Sequence, residues 1–171
     1  MEEALEIFER LGDVKGQTQC LNQLVWLFWY RSQFGAAEKV ALRAVDLLSG
    51  IGQEFLVCDL HQILGKIYKK RGEKEKAIHH LETALRLAST YNGRDEPFWI
   101  HYFLADLFRR EGDFVNANAH IEQVNSHAID HAYKRSRAIQ MQTKVRFSSS
   151  PPASHALFPT NHQLHPATEW R

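Results

Sequence analysis

Histidine is the residue type in this chain that most readily suggests chemistry, because ten histidines occur in 171 residues. His127 and His131 stand four residues apart, so on a helix they would share one face and could bind a metal ion. His120 lies further back along the same segment and could add a third ligand. His79 and His80 would point about 100° apart on a helix and could not chelate one ion together. Since no cysteine or supporting carboxylate stands at a matching spacing, we predict no metal site and no cofactor.

The motifs of nucleotide, metal and nucleophilic catalysis do not occur in the sequence. It contains no G-x-x-x-x-G-K-[ST], G-x-G-x-x-G, H-E-x-x-H, C-x-x-C or G-x-S-x-G. Cys58 is expected near a helix start, where the helix dipole could lower its pKa, but no base stands beside it. Cys20 shares an apolar pattern with Leu60 and Ile100, which favours a packing role. We therefore predict that the chain is not an enzyme.

An aromatic run over residues 25–30 is the strongest binding signal in the sequence. Trp26 and Trp29 are expected to face solvent, because the residues forty positions later are Lys66 and Lys69. Two exposed tryptophans on one helix face are typical of a binding surface. The alternative, that they pack against a neighbouring repeat, is about equally consistent with the pattern.

Basic residues also recur at the same spacing, as Lys69–Arg71 and then Arg109–Arg110. Side by side they would form a basic stripe suited to an acidic partner. The favoured alternative is that they compensate the negative ends of two helices, since Glu73 and Asp113 follow closely and dilute the positive field.

Composition places the chain among soluble, intracellular proteins. Hydrophobic residues make up 44% of the sequence, and the net charge of +1 argues against a dedicated nucleic-acid binder. Two cysteines cannot build a disulfide scaffold and suit a reducing compartment such as the cytoplasm. The longest apolar run, residues 24–30, is far shorter than the ~20 residues of a membrane span, and the N-terminus is acidic rather than basic as in a signal peptide.

A period of forty residues indicates the elements that position these side chains. Apolar and small residues superimpose when the chain is shifted by forty, as in the columns Leu24, Leu64, Leu104 and Ala37, Ala77, Ala117. Within each unit the apolar spacing is helical, and it marks two helices. Gly72 and Gly112 stand between them as expected helix C-caps, and Pro97 suits the first turn of a helix. The sequence therefore predicts an all-α array of helix–turn–helix units.

The middle unit resembles the tetratricopeptide (TPR) signature. It reads Leu64-Gly65-x2-Tyr68-x8-Ala77-x3-Leu81-x2-Ala84, and Ala37 and Ala117 occupy the position of Ala77 in the flanking units. The forty-residue period resembles the longer-helix arrays of scaffold proteins and those attached to large signalling (STAND-type) NTPases. The resemblance covers residues 1–147 and implies a right-handed superhelical solenoid. Gly65 would face the helix carrying Ala77, where only small side chains let two helices approach closely.

The domain organisation expected from the period ends where the composition changes. We predict a half repeat over residues 1–17, full repeats over about 18–57, 58–97 and 98–131, and a partial capping helix over 132–147. The cap would present a sparse apolar face of Tyr133, Ala138, Met141 and Val145. Residues 148–171 hold four of the five prolines, so they are expected to be a disordered Pro/Ser/His tail. That tail is either a recognition segment or non-native sequence from a shifted frame or retained intron.

The resemblance implies a binding groove lined by the first helix of each unit. It implies a non-enzymatic module that binds a peptide or helix of another protein or of its own parent chain, and we expect the module to be a fragment of a larger signalling or scaffold protein. Because tryptophans at one end of this groove are followed by basic residues, the expected ligand is a short segment with an apolar anchor followed by acidic residues. The alternatives are an RNA-binding helical repeat and a truncated product without independent activity; self-association through the array ends is also expected. The implied groove residues are Asn22, Trp26, Trp29, Tyr30, Gln62, Lys66, Lys69, Lys70, Tyr102, Asp106, Arg109 and Arg110.

Overall fold

The computed structural model describes residues 2–91, 96–129 and 131–149, which form eight α-helices and no strand. None of these helices combines the length and the apolar character needed to cross a bilayer. The prediction of an all-α fold is confirmed. The helices are α1 (Glu2–Leu11), α2 (Val14–Tyr30), α3 (Phe34–Leu48), α4 (Glu54–Arg71), α5 (Lys74–Thr90), α6 (Glu96–Arg110), α7 (Phe114–Ser126) and α8 (Ala132–Ser149).

Each helix packs mainly on its neighbours in the chain, as is typical of TPR repeats. The strongest pairs are α2 with α3, α4 with α5 and α6 with α7, and α3 and α5 also contact the next pair. Helices α2 and α4 begin at Val14 and Glu54, so the forty-residue period is the period of the helix pairs. Each pair begins about four residues earlier than the predicted repeat boundaries at 18 and 58.

Glycine ends the first helix of the two later pairs. Gly72 and Gly112 both have a φ of 77°, a left-handed conformation that favours glycine, as the C-cap prediction requires. In the third pair the second helix, α7, begins with an N-cap. The Asp113 carboxylate accepts a hydrogen bond from the backbone N–H of Asn116 at 3.1 Å. The turn chemistry therefore accounts for the sharp reversal between the helices of a pair.

Close helix contact depends on small residues at Gly65 and Ala77. A Cβ added at Gly65 would lie 2.6 Å from Cγ of Leu81 and 3.3 Å from the carbonyl oxygen of Ala77. Ala77 itself is fully buried, as are Ala37 and Ala117 in the flanking pairs. These small residues let α4 and α5 approach closely.

The ends of the array differ in part from the expectation. Ala138, Met141 and Val145 of α8 are buried against α6 and α7, but Tyr133 is 63% exposed and does not belong to that apolar face. Helix α8 ends at Ser149 rather than at residue 147, so residues 148–149 are helical. The rest of the predicted tail, residues 150–171, lies outside the described residues.

Candidate binding groove

Two cavities lie end to end between the first helices of the pairs, where they share Lys66 and Phe103. One, which we call the basic cavity, has a volume of about 410 Å³; the other, the aromatic cavity, has a volume of about 380 Å³. The basic cavity is lined by Trp29, Lys66, Lys69, Lys70, Phe103 and Arg110. The aromatic cavity is lined by Phe55, Asp59, Gln62, Lys66, Glu96, Trp99 and Phe103.

Lys66 stands where the two cavities meet. Its Nζ lies 4.6 Å from the ring centroid of Phe103 and 5.8 Å from that of Trp26, so the ammonium group rests on aromatic faces. Burial lowers the pKa of Lys66, while the nearby carboxylate of Asp59 acts in the opposite direction. Because Lys66 lines both cavities, its ammonium group can interact with a charged group in either one.

A single buried carboxylate, that of Asp106, binds three of the basic groove residues. Its oxygens accept hydrogen bonds from Lys69 Nζ at 2.5 Å, Arg109 Nη2 at 2.9 Å and Arg110 Nε at 3.1 Å. Burial opposes ionisation of Asp106, but the hydrogen bonds from Lys69 and Arg109 outweigh it and hold the pKa of this carboxyl well below its usual range. The predicted basic stripe is therefore partly neutralised by this Asp106 cluster.

Lys70 differs from the residues of the Asp106 cluster. It is exposed at the mouth of the basic cavity and forms no ion pair with another described residue. Its ammonium is free to meet an acidic group of a ligand without first breaking an internal bond.

The two tryptophans of α2 are half-buried, so they are neither fully exposed to solvent nor packed wholly against a neighbouring repeat, the two alternatives that the sequence left open. Trp29 forms a wall of the basic cavity and packs edge-on against Phe34, with ring centroids 5.4 Å apart. Trp26 packs against Tyr30 at 6.0 Å, and Tyr30 is 78% exposed. Phe34 of α3 covers part of the Trp29 ring, and the Lys66 ammonium of α4 lies over the ring of Trp26.

The remaining predicted groove residues lie outside the open cavities or deep in their walls. Asn22 lines neither cavity. Tyr102 is buried against Phe98 and Trp99 and does not reach the groove surface. Gln62 is buried in the wall of the aromatic cavity, where its Nε2 lies 3.7 Å from Sγ of Cys58.

The aromatic cavity is built largely from residues that the groove prediction did not include. Phe103 corresponds to Ile63 one repeat earlier, and Asp59 corresponds to Gln19. Such positions have no repeating character, so the period that revealed the core could not reveal them. Such residues could be found in the sequence by looking for positions on the groove side of a first helix that depart from the repeat pattern.

Two histidine pairs join the first helix to the second helix of successive repeats. Nδ1 of His61 lies 2.9 Å from Nδ1 of His80, and forty residues later His101 and His120 repeat the same distance. His80 also stacks on Tyr68, with ring centroids 5.2 Å apart. Burial, with a smaller effect of the facing histidine, lowers the pKa of His61 and of His101 to about 4, so both pairs are neutral near pH 7.

The candidate metal ligands His120 and His127 both contact His101. It bonds to His101, and the ring of His127 stacks on His101 at 6.1 Å between centroids. Over residues 2–91, 96–129 and 131–149, no group of three or more His, Cys, Asp or Glu side chains could hold a metal ion.

Cys58 is a packing residue of α4. It is fully buried, and its Sγ donates a hydrogen bond to the carbonyl oxygen of Ala84 at 3.3 Å. Burial raises the pKa of the Cys58 thiol, which is opposite to the lowering that a helix dipole could cause. Cys20 is half-buried against the core formed by α2, α3 and α4.

Comparison with known proteins identifies the middle helix pair. Residues 58–91 match the family model described as tetratricopeptide repeat. None of the curated proteins compared with the chain matches it significantly. The matched segment contains most of α4 and all of α5, and the pairs on either side pack in the same way. The match and the packing together support a TPR protein, with a tetratricopeptide repeat at residues 58–91 inside an all-α array of similar helix pairs.

Proposed function

We propose that this chain is a non-enzymatic interaction module that binds a peptide or helix of another protein along the groove formed by α2, α4 and α6. TPR repeats generally mediate protein–protein interaction. The observation that carries the proposal is the pair of adjoining cavities, because together they offer about 790 Å³ of recessed, partly aromatic surface between first helices.

The lining of the cavities supports this proposal. Trp29, Trp99 and Phe103 are half-buried and held by neighbouring rings, so a ligand would meet aromatic surface that is already ordered. Large, rigid aromatic side chains carry much of the binding energy in protein interfaces, and flanking charges orient the partner.

Selection of peptides tests the proposal. Peptides enriched from a random dodecapeptide library against the purified protein should bind at least tenfold more weakly to Phe103→Ala than to the unaltered protein, because Phe103 lines both cavities. Phe147→Ala is the matched control, since Phe147 is 78% exposed on α8 and lines neither cavity. Equal binding of the selected peptides to both variants would contradict the proposal.

We further propose that the array is part of a larger cytoplasmic signalling or scaffold protein of the forty-residue-period kind. The regular spacing of helix pairs from α2 onward supports this. Sequencing of the transcripts that contain this reading frame tests it. Further repeats or an NTPase domain in the same frame are the expected result, and their absence from every such transcript would overturn it.

A further inference from the structure

We propose that the groove recognises an extended peptide with opposite charges at two positions, an arginine held in the aromatic cavity and an acidic residue, about five residues away, held in the basic cavity. This inference rests on the proposed function and adds the chemistry of the ligand to it. It also replaces the simpler expectation of an apolar anchor followed by acidic residues.

The walls of the aromatic cavity fit a flat cation. Trp99 and Phe103 stand one turn apart on α6, with ring centroids 6.4 Å apart and planes inclined by only 29°. Phe55 faces them from α4. A guanidinium group stacks on aromatic faces and donates two parallel hydrogen bonds to a carboxylate, whereas an ammonium group acts as a point charge. The cavity therefore favours arginine over lysine.

The Asp59 carboxylate in the aromatic cavity can accept a cation from a ligand. Asp59 lines this cavity together with Lys66, which is the basic residue among its described lining. Asp59 forms no hydrogen bond or ion pair with another described residue, and burial raises its pKa because the charged form is poorly solvated there. A guanidinium group supplied by a ligand would provide the hydrogen bonds that the Asp59 carboxylate lacks.

The basic cavity has the opposite charge. Lys66, Lys69, Lys70 and Arg110 line it, and no carboxylate does among the residues that the structure describes. The nearby Asp106 already accepts hydrogen bonds from Lys69 and Arg110, which leaves Lys66 and the exposed Lys70 as the main contacts for an acidic side chain.

The two contacts should strengthen each other through Lys66. This residue lines both cavities, and its charge acts on Asp59. An acidic side chain in the basic cavity balances the charge of Lys66, which lessens the repulsion between Lys66 and a ligand arginine beside Asp59. Removing either ligand charge should therefore weaken the contact made by the other.

Helix geometry gives the separation of the two ligand charges. Asp59 and Lys70 lie on α4, and eleven residues at about 1.5 Å each separate them by roughly 16 Å. An extended peptide advances about 3.3 Å per residue, so about five residues span that distance. We expect the arginine and the acidic residue to be four to six positions apart in bound peptides.

The same dodecapeptide selection tests this inference. The selected peptides should be enriched in an arginine four to six positions from an aspartate or glutamate. In one such peptide, changing the arginine to alanine should weaken binding to the unaltered protein at least tenfold, but binding to Asp59→Asn by less than threefold. Changing the acidic residue to alanine should weaken binding to the unaltered protein about threefold at low salt but leave binding to Lys70→Met nearly unchanged, because ion pairs of an exposed lysine are weak.

The outcomes separate this inference from the proposed function. Peptides that depend on Phe103 but show no paired charges, or whose charge changes act equally on the unaltered protein and on Asp59→Asn, would overturn the two-charge inference alone. Peptides that bind without regard to Phe103 would overturn the groove itself. Thermal melting checks that each variant folds, and Asp59→Ala replaces Asp59→Asn in the comparison if the latter does not.

Discussion

Asp106 shows how one residue changes the meaning of a charge pattern. Lys69, Arg109 and Arg110 look in the sequence like an open basic stripe, but all three donate to this buried carboxylate. Such a group ties α4 to α6 as well as balancing charge. The residues that a ligand can reach are therefore fewer than the basic residues on the groove side.

Replacing Asp106 with asparagine should destabilise the fold. The change leaves Lys69 and Arg109 without their shared anion, and hydrogen bonds to charged groups contribute about 1.5–3 kcal/mol each. We expect a loss in the free energy of unfolding of about 2 kcal/mol or more at pH 7, measured by urea denaturation. Glu111→Gln is the control, because Glu111 is exposed and lies 3.8 Å from its partner Lys74.

The same variant gives a pH dependence with a definite sign. The pKa of Asp106 is depressed in the folded state, so its contribution is present above the ordinary aspartate pKa and is lost as the pH falls toward the folded value. The difference in stability between the unaltered protein and Asp106→Asn should be smaller at pH 3 than at pH 7. A difference that grows on acidification would contradict this account.

At the scale of the helix pair, contact between α4 and α5 depends on Gly65. Gly65→Leu should lower the free energy of unfolding by about 1–3 kcal/mol or more, because the added side chain meets Leu81 and the backbone of Ala77. Gly35→Ala provides the contrast, since a Cβ at Gly35 of α3 would meet nothing within 4 Å. That second variant should gain up to about 1 kcal/mol from helix propensity. Thermal or urea melting of both variants measures the difference.

The histidine pairs make the same helix contacts sensitive to acid. The pKa of His61 and of His101 is about 4 in the folded protein, below the value of about 6.5 in an unfolded chain. The unfolded state therefore binds more protons between these values, and stability should fall as the pH drops from about 6.5 toward 4. The charges nearby include Arg86 beside the first pair and His127 beside the second.

A double substitution, His61→Gln with His101→Gln, should flatten the dependence of melting temperature on pH between 7 and 4.5. His79→Gln is the control, because His79 is exposed and makes neither of the two Nδ1–Nδ1 contacts. An unchanged slope in the double variant would show that other groups cause the loss of stability in acid.

At the scale of the whole molecule, we expect different groove residues to control how tightly a peptide binds and how fast it associates. Trp29→Ala should weaken binding of a selected peptide about tenfold or more at any salt concentration, mainly through faster dissociation. Lys70→Glu should slow association, and its effect should fade as salt rises from about 0.05 to 0.5 M. Lys39→Glu, an exposed charge reversal on α3, is the control. Stopped-flow kinetics measure both effects, and a salt-independent loss in Lys70→Glu would contradict the steering role.

The repeating positions are the part of this molecule that the sequence predicts well. Periodicity identifies Ala77 with its counterparts Ala37 and Ala117, and Gly72 with Gly112, because the same contact or turn recurs at these positions. The TPR resemblance identifies Gly65. Periodicity does not predict how deeply Trp29 is buried or that Asp106 binds three cations, since both depend on side chains that approach from another helix pair. The histidine pairs were predictable in principle, because His61 and His80 recur together forty residues later.

The placement of the aromatic cavity sets how many ligands one chain can hold. Its walls come from positions of α4 and α6 that have no counterpart between α2 and α4, where Gln19 stands in place of Asp59 and Ile63 in place of Phe103. Duplicating a repeat would lengthen the array without copying the cavity, and inserting one between α4 and α6 would divide it. Under the proposed binding mode one chain therefore holds one peptide across the two cavities, although three helix pairs are stacked. Recognition can diverge while the fold stays the same.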